Sequence, residues 1–318
     1  MDSFLFSLNA TVPVFAVMII GHILMKTEMI DEHFASVANK FVFKVCLPCL
    51  VFLDLADTDI RHNFDFTYVM FCFAATLFSI LSVWILARLF LKEKESVGAF
   101  VQGAYRSSAA ILGVAFIQNI YGSSGMASLM IIGSVPLYNI FAVIVLTFES
   151  SGQNQQRLDG QQIRTAGINI VKNPIIVGIA CGLLASLINL PLPNIFHKTI
   201  NNLAVMASPL ALISIGASFE LKKTLTKIRP TLAASFFKLA GWAIIFLPLA
   251  VLCGFRDQKL IAILIMLASP CTPTAYIMAK NMKGDDVLAS GIVVMTTLLS
   301  SVTLTFWIFL LRLLDLIR

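Results

Sequence analysis

Residues 107–148 run for 42 positions without a single Asp, Glu, Lys or Arg. A water-facing surface cannot be built from such a segment. A helix crossing the ~30 Å hydrocarbon core of a bilayer needs about 20 mostly apolar residues, so the run is long enough for two crossings. Gly122-Ser123-Ser124-Gly125 supplies a turn between them. Uncharged runs recur at 4–25, 66–87, 173–196, 199–219, 260–279 and 287–311, and two weaker ones carry Lys40 and Lys44, or Lys238. Only 13% of the chain is charged and 58% is hydrophobic, against roughly 25% and 45–50% in a soluble domain. The solvent for most of this chain is lipid.

The pattern predicts an all-α integral membrane protein with ten transmembrane helices, near 4–26, 34–55, 64–91, 97–120, 124–148, 167–190, 195–219, 230–254, 258–281 and 286–312. The polar stretch at 150–166, with Gln153-Asn154-Gln155-Gln156 inside it, reads as a cytoplasmic linker. It separates a first five-helix repeat (1–149) from a second (167–318). Pro13 and Gly21 match Pro174 and Gly182 at an offset of 161, as Pro48 matches Pro209. Asn119, Gly122 and Ala127-Ser128 match Asn281, Gly284 and Ala289-Ser290 at 162. Five is odd, so the second half enters from the opposite face and the repeats are inverted, an arrangement common in secondary transporters.

Lys and Arg favour the connections that face the cytoplasm when the N-terminus is outside, 13 against 6. By the positive-inside rule both termini are extracytoplasmic. No cleavable signal peptide is expected, because residues 1–7 lack a basic region. The net charge of +6 reads as topology signal and contact with the lipid bilayer rather than nucleic acid. The six cysteines lie in apolar runs and read as small buried side chains; the Cys46/Cys49 pair lacks the partners of a zinc site. No metal and no cofactor is expected.

Two spans stand apart. Span nine holds Ser269-Pro270-Cys271-Thr272-Pro273-Thr274, and two prolines three apart remove two amide donors. Freed backbone at membrane depth is tolerated where it is buried or lines a cavity; a simple kink is the alternative. At the 162 offset, span four carries Arg106-Ser107-Ser108-Ala109-Ala110-Ile111 without proline. Its small hydroxylated residues suit either unwound backbone or close helix packing. Arg106 lies nine residues into the span, about 14 Å deep at ~1.5 Å per residue. A cation there faces the bundle interior and pairs a carboxylate, unless it pairs Asp54 or Glu149 or snorkels. Lys40, Lys44 and Lys238 read as snorkelling lysines. His22, Asn39 and Asn139 are candidates for a polar network.

Taken together these motifs resemble the auxin efflux carrier family, closest to its prokaryotic PIN-like members, permeases for malate, malonate or similar acids. The resemblance runs the whole chain. It rests on 39–48, on Ser108-Ala109-Ala110-Ile111-Leu112-Gly113 with Tyr121-Gly122, and on Pro136-Leu137-Tyr138-Asn139. In the second half it rests on Ser269-Pro270, Ala279-Lys280 and Ala289-Ser290. It implies a scaffold domain (1–60 and 167–225) and a transport domain (61–149 and 226–318), with helices four and nine broken and crossing. The implied function is elevator-type transport of a small-molecule carboxylate across the plasma membrane. The substrate-binding residues expected are Arg106, Ser107, Ser108, Ala110, Ile111, Asn39, Asn139, Ser269, Pro270, Cys271, Thr272 and Pro273. The family often has Asn where Ser108 stands. A homodimer stays open. So do a sodium-coupled symporter of similar fold and, more remotely, a channel or receptor; no motif for a membrane enzyme is found.

Overall fold

The computed structural model of the chain describes residues 2–56, 65–109, 117, 125–149, 167–168, 170–188, 192–219 and 221–317, with backbone alone for 2–11, 125, 128 and 221. The predicted turn at 122–125, the linker at 150–166, Asn119, Ala110 and Ile111 lie wholly or largely outside the described residues. The described residues are helical, without a strand. Six helices are long and apolar enough to cross a membrane.

In chain order the described helices used below are α1 (Asp2–Lys26), α2 (Glu32–Ala56), α3 (Phe66–Phe90), α4 (Val97–Tyr105), α5 (Gly125–Glu149), α6 (Pro174–Leu187), α7 (Asn194–Ala204), α8 (Ala207–Ser218), α9 (Leu221–Thr226), α10 (Ile228–Leu252), α11 (Asp257–Ala268), α12 (Thr274–Asn281) and α13 (Asp286–Leu313). Span six departs from expectation. Its membrane helix begins at Pro174 rather than 167, because Asn173 caps it by accepting from the Ile175 amide at 2.9 Å and Pro174 occupies the first turn. Span seven is interrupted at Val205-Met206 between α7 and α8, where Pro209 lacks the amide that would bond Val205. α2 and α10 each contain one π-helical turn, Val42–Cys46 and Phe237–Gly241.

One group of contacts joins the first half of the chain to the second. α1 packs on α8, and α2 packs on α6, α7 and α8. Backbone approaches closely enough there to demand glycine. A Cβ on Gly21 would strike the Ile213 carbonyl, and one on Gly182 would lie 2.7 Å from the Phe52 carbonyl. Phe52 and Ile213 differ by 161, as do Gly21 and Gly182, so the two contacts are copies of one another under the offset read from sequence. A second group surrounds the interrupted helices: α3 packs on α4 and α5, α10 on α4, α11 and α13, and α13 on α12.

Polar ties hold the ends. Asp65 caps α3 through the Tyr68 amide and meets Lys259 at 2.6 Å, and that lysine bond holds its carboxyl below the usual carboxylate range. Asp285 caps α13 through the Leu288 amide (2.9 Å) and is bonded by Ser96 and Lys227. Burial pushes the Asp285 carboxyl up, but the Lys227 and Ser96 bonds prevail and leave it below its ordinary value. Arg88 and the Trp84 indole both donate to Glu149 at 2.6 Å. Lys40 and Lys44 are exposed, as snorkelling lysines should be. Lys238 is not: it is completely buried. Cys181 and Cys253 are exposed, unlike the other four cysteines and against the expectation of buried side chains.

Candidate functional site

The two breaks meet. α4 ends at Tyr105, and Arg106 turns into extended backbone (φ −72°, ψ 120°). α11 ends at Ala268, Ser269 is likewise extended, and α12 restarts at Thr274. The Ser108 amide donates to the Pro270 carbonyl at 3.1 Å. Ser108 and Pro270 are partners at the 162 offset, so equivalent residues of the two halves touch each other. A reciprocal bond would need a donor at 270, and proline has none.

Each break strands carbonyls that must find other donors. Pro270 cannot bond Met266, so the Met266 carbonyl accepts from the hydroxyls of Ser107 and Tyr138, the latter at 3.0 Å. The Leu267 carbonyl accepts from Lys238 Nζ at 2.7 Å. A lysine at a helix C-terminus meets the negative end of its dipole, which is why Lys238 stays inside instead of snorkelling. In α4 the Ala104 carbonyl, the 162-offset partner of Met266, accepts from the Trp242 indole at 2.8 Å. The freed Cys271 amide donates to Thr296 Oγ1 at 3.1 Å.

Arg106 sits at the crossing, 4% exposed. Its guanidinium donates to Asn139 Oδ1 at 2.6 Å, Met278 Sδ at 2.8 Å and Gln102 Oε1 at 3.4 Å. None of the three is a carboxylate. The alternative pairing with Glu149 is overturned, since Arg88 and Trp84 hold that carboxylate. Snorkelling is overturned as well, because the guanidinium is fixed among buried groups.

Beside Arg106 opens a cavity of about 50 Å³. Arg106, Ser107, Ser108, Asn139 and Thr272, five of the residues expected from sequence, line it. Of the others, Ala110 and Ile111 lie outside the described residues, and the rest do not line it. Pro270 makes the crossing bond, the Cys271 amide donates to Thr296, Pro273 precedes α12, and Ser269 Oγ is buried with no hydrogen-bond partner among the described residues. Asn39 is not brought to the cavity. It is 2% exposed, its carbonyl accepts from Asn281 Nδ2 at 3.2 Å, and both atoms of its own amide lack partners among the described residues, so no network forms there through its side chain. Sequence reasoning missed part of the lining: Tyr138 and Thr274, which adjoin expected residues, and the wall made by Leu47, Leu50, Val51 and Asp54 of α2 with Ser208 of α8. Asp54 was considered only as a partner for Arg106, and nothing in its spacing marks it as facing a cavity.

The arrangement joins a fixed cation, hydroxyl and amide groups, and the N-terminal end of α12 at Thr274. A carboxylate suits each of these. Among the described residues no group of three or more metal-ligating side chains occurs.

An uncharacterized transporter of Methanothermobacter thermautotrophicus is 22% identical over 309 residues, 96% of this chain and 98% of that one. The family model described as "Membrane transport protein" matches residues 6–308. The chain therefore belongs to the membrane transport protein family, that of the auxin efflux carriers, and is a multi-pass membrane protein of transport.

Proposed function

We propose that the chain is a secondary transporter that moves a small organic anion, a carboxylate of malate or malonate type, across the plasma membrane by elevator-type alternating access. The observation that carries this reading is the bond between Ser108 and Pro270, made beside a buried Arg106 whose described partners include no carboxylate. A buried cation with no carboxylate among its described hydrogen-bond partners is costly, at least ~2.5 kcal/mol at mid-bilayer, and an anionic guest offsets that cost.

The same reading takes the chain as ten spans in two inverted repeats, with both termini extracytoplasmic and the linker at 150–166 inside. The copied glycine contacts and the touching of Ser108 with its own equivalent support a pseudo-two-fold axis through the crossing. The scaffold domain would comprise 1–60 and 167–225, where those glycines weld α1 to α8 and α2 to α6. The transport domain would comprise 61–149 and 226–318. The cavity lies between them, with the broken helices and α5 on one side and α2 and α8 on the other. A ligand held at such a boundary faces opposite sides of the membrane as one domain slides past the other.

The test is counterflow in proteoliposomes loaded with unlabelled acetate, malonate or malate. Labelled uptake of at least one of the three accelerates when the same acid is present inside, as it does for a carrier. Arg106→Ala lowers that rate by about tenfold or more, the loss of ~1.4 kcal/mol or more of anion stabilisation. Full counterflow in Arg106→Ala, or no acceleration by any carboxylate, rejects the reading.

A further inference from the structure

Lys238 carries a charge that its place in the fold does not require. The Met266 and Ala104 carbonyls, stranded by the same two breaks, are satisfied by neutral donors: the hydroxyls of Ser107 and Tyr138, and the Trp242 indole. For the Leu267 carbonyl the donor is an ammonium, completely buried, at 2.7 Å. Burying an ammonium costs more than burying a hydroxyl or an indole, so capping by itself does not account for it. The repeat does not ask for it either. At the 162 offset Lys238 corresponds to Thr76, whose hydroxyl meets Met266 Sδ at 3.7 Å. Lys238 stands ten positions beyond Ile228, where α10 begins, about 15 Å deep at ~1.5 Å per residue. α10 packs on α3, α4, α11 and α13. Neither α10, α3 nor α4 contains Asp or Glu, and those of α11 and α13 are Asp257 and Asp286, the first residue of each helix. The cations of these neighbours, Arg88, Lys259 and Arg312, also stand near helix ends. None of these carboxylates reaches the depth of Lys238.

The ammonium lies close to the cavity without being among its described lining. Ser107 lines the cavity and bonds the Met266 carbonyl, and the next carbonyl along the chain, that of Leu267, holds Lys238. Two hydrogen bonds and one peptide unit span about 10 Å. Coulomb attraction acts over that distance without contact in a weakly polarisable interior. At an effective dielectric constant of roughly 20 it is worth on the order of tenfold in affinity for each unit of charge on the ligand. We propose that Lys238 is a specificity-determining residue that acts through its field: together with Arg106, which the ligand touches, it favours a doubly charged anion over a singly charged one of the same shape. The division of labour follows from position. Arg106 supplies hydrogen bonds to one carboxylate, and Lys238 supplies charge that every carboxylate in the cavity feels. Asp54, the acid of the described lining, has an interaction of its own; it is kept in each variant compared below, so its field cancels from their comparison. This inference rests on the carboxylate reading above and names the residue that selects among carboxylates by charge.

The experiment is titration calorimetry of the full-length protein in nanodiscs with malonate and with malonamate, which are nearly equal in shape and differ by one charge. The wild type binds malonate about tenfold or more tighter than malonamate. Lys238→Gln keeps a neutral donor for the Leu267 carbonyl and removes the charge. Its Kd rises on the order of tenfold for malonamate and a hundredfold for malonate, so the preference between the two shrinks about tenfold. Lys238→Arg keeps the charge and with it the preference. A cap with no electrostatic role shifts both ligands alike. An unchanged preference in folded Lys238→Gln therefore overturns the inference and leaves the carboxylate reading standing. If Lys238→Gln does not fold, the wild type decides: malonate bound no tighter than malonamate overturns the inference. Binding of neither ligand to the wild type overturns both.

Discussion

At the scale of the residue, the two cations buried beside the crossing follow the same rule by different routes. Arg106 was legible in the sequence because nothing else explains a guanidinium nine residues into an apolar run. Lys238 was not, since a lysine two or so turns from a membrane face ordinarily extends its ammonium to water. What distinguishes it is the stranded Leu267 carbonyl, which exists only because α11 stops at Ala268, some thirty positions further along the chain. Lys238→Met fills similar volume but leaves that acceptor buried and unpaired. The expected cost is about 1–3 kcal/mol, read as a melting temperature several degrees lower in detergent. A variant that melts with the wild type would show that the bond caps nothing.

Among the elements, the interrupted pair decides the chemistry. Pro270 and Pro273 announce a break in span nine, and they deliver one through the loss of their amides. Span four breaks without a proline. Its Ser107 hydroxyl and extended Arg106 are held instead by Met266 and by the groups around the guanidinium. Restoring a donor at the crossing tests whether the break is required. Pro270→Ala supplies an amide that competes with Ser107 and Tyr138 for the Met266 carbonyl. Counterflow should fall about tenfold or more while thermal stability is kept, since the new amide gives the Met266 carbonyl a partner in its own segment and lets α11 run on. Unimpaired counterflow in this variant would mean that the interruption is incidental to transport.

For the whole molecule, the question is which helices travel together. α2 and α8 pack on α12 across the proposed boundary, and the Asn281 amide reaches the Asn39 carbonyl at 3.2 Å there. A disulfide between Asn39→Cys and Asn281→Cys, in a background without the six native cysteines, should stop counterflow and release it on reduction. Continued transport with the disulfide formed would mean that α2 and α12 do not slide against each other. The Asn39 amide, which has no partner among the described residues, lies at this same joint.

The sequence by itself determined that this chain is a multi-pass membrane protein and that span nine is broken, because charge depletion, segment length and proline act locally. It also carried the offsets of 161 and 162, through glycines and prolines whose role is to let backbones meet or part. The tertiary structure alone decided which side chains line the cavity, since facing is set by packing between segments far apart in the chain. That is why Asp54 and Ser208 appeared in the lining while Asn39 fell outside it. It also decided that Lys238 is a helix cap, because a carbonyl becomes an unmet acceptor only once another helix has ended beside it.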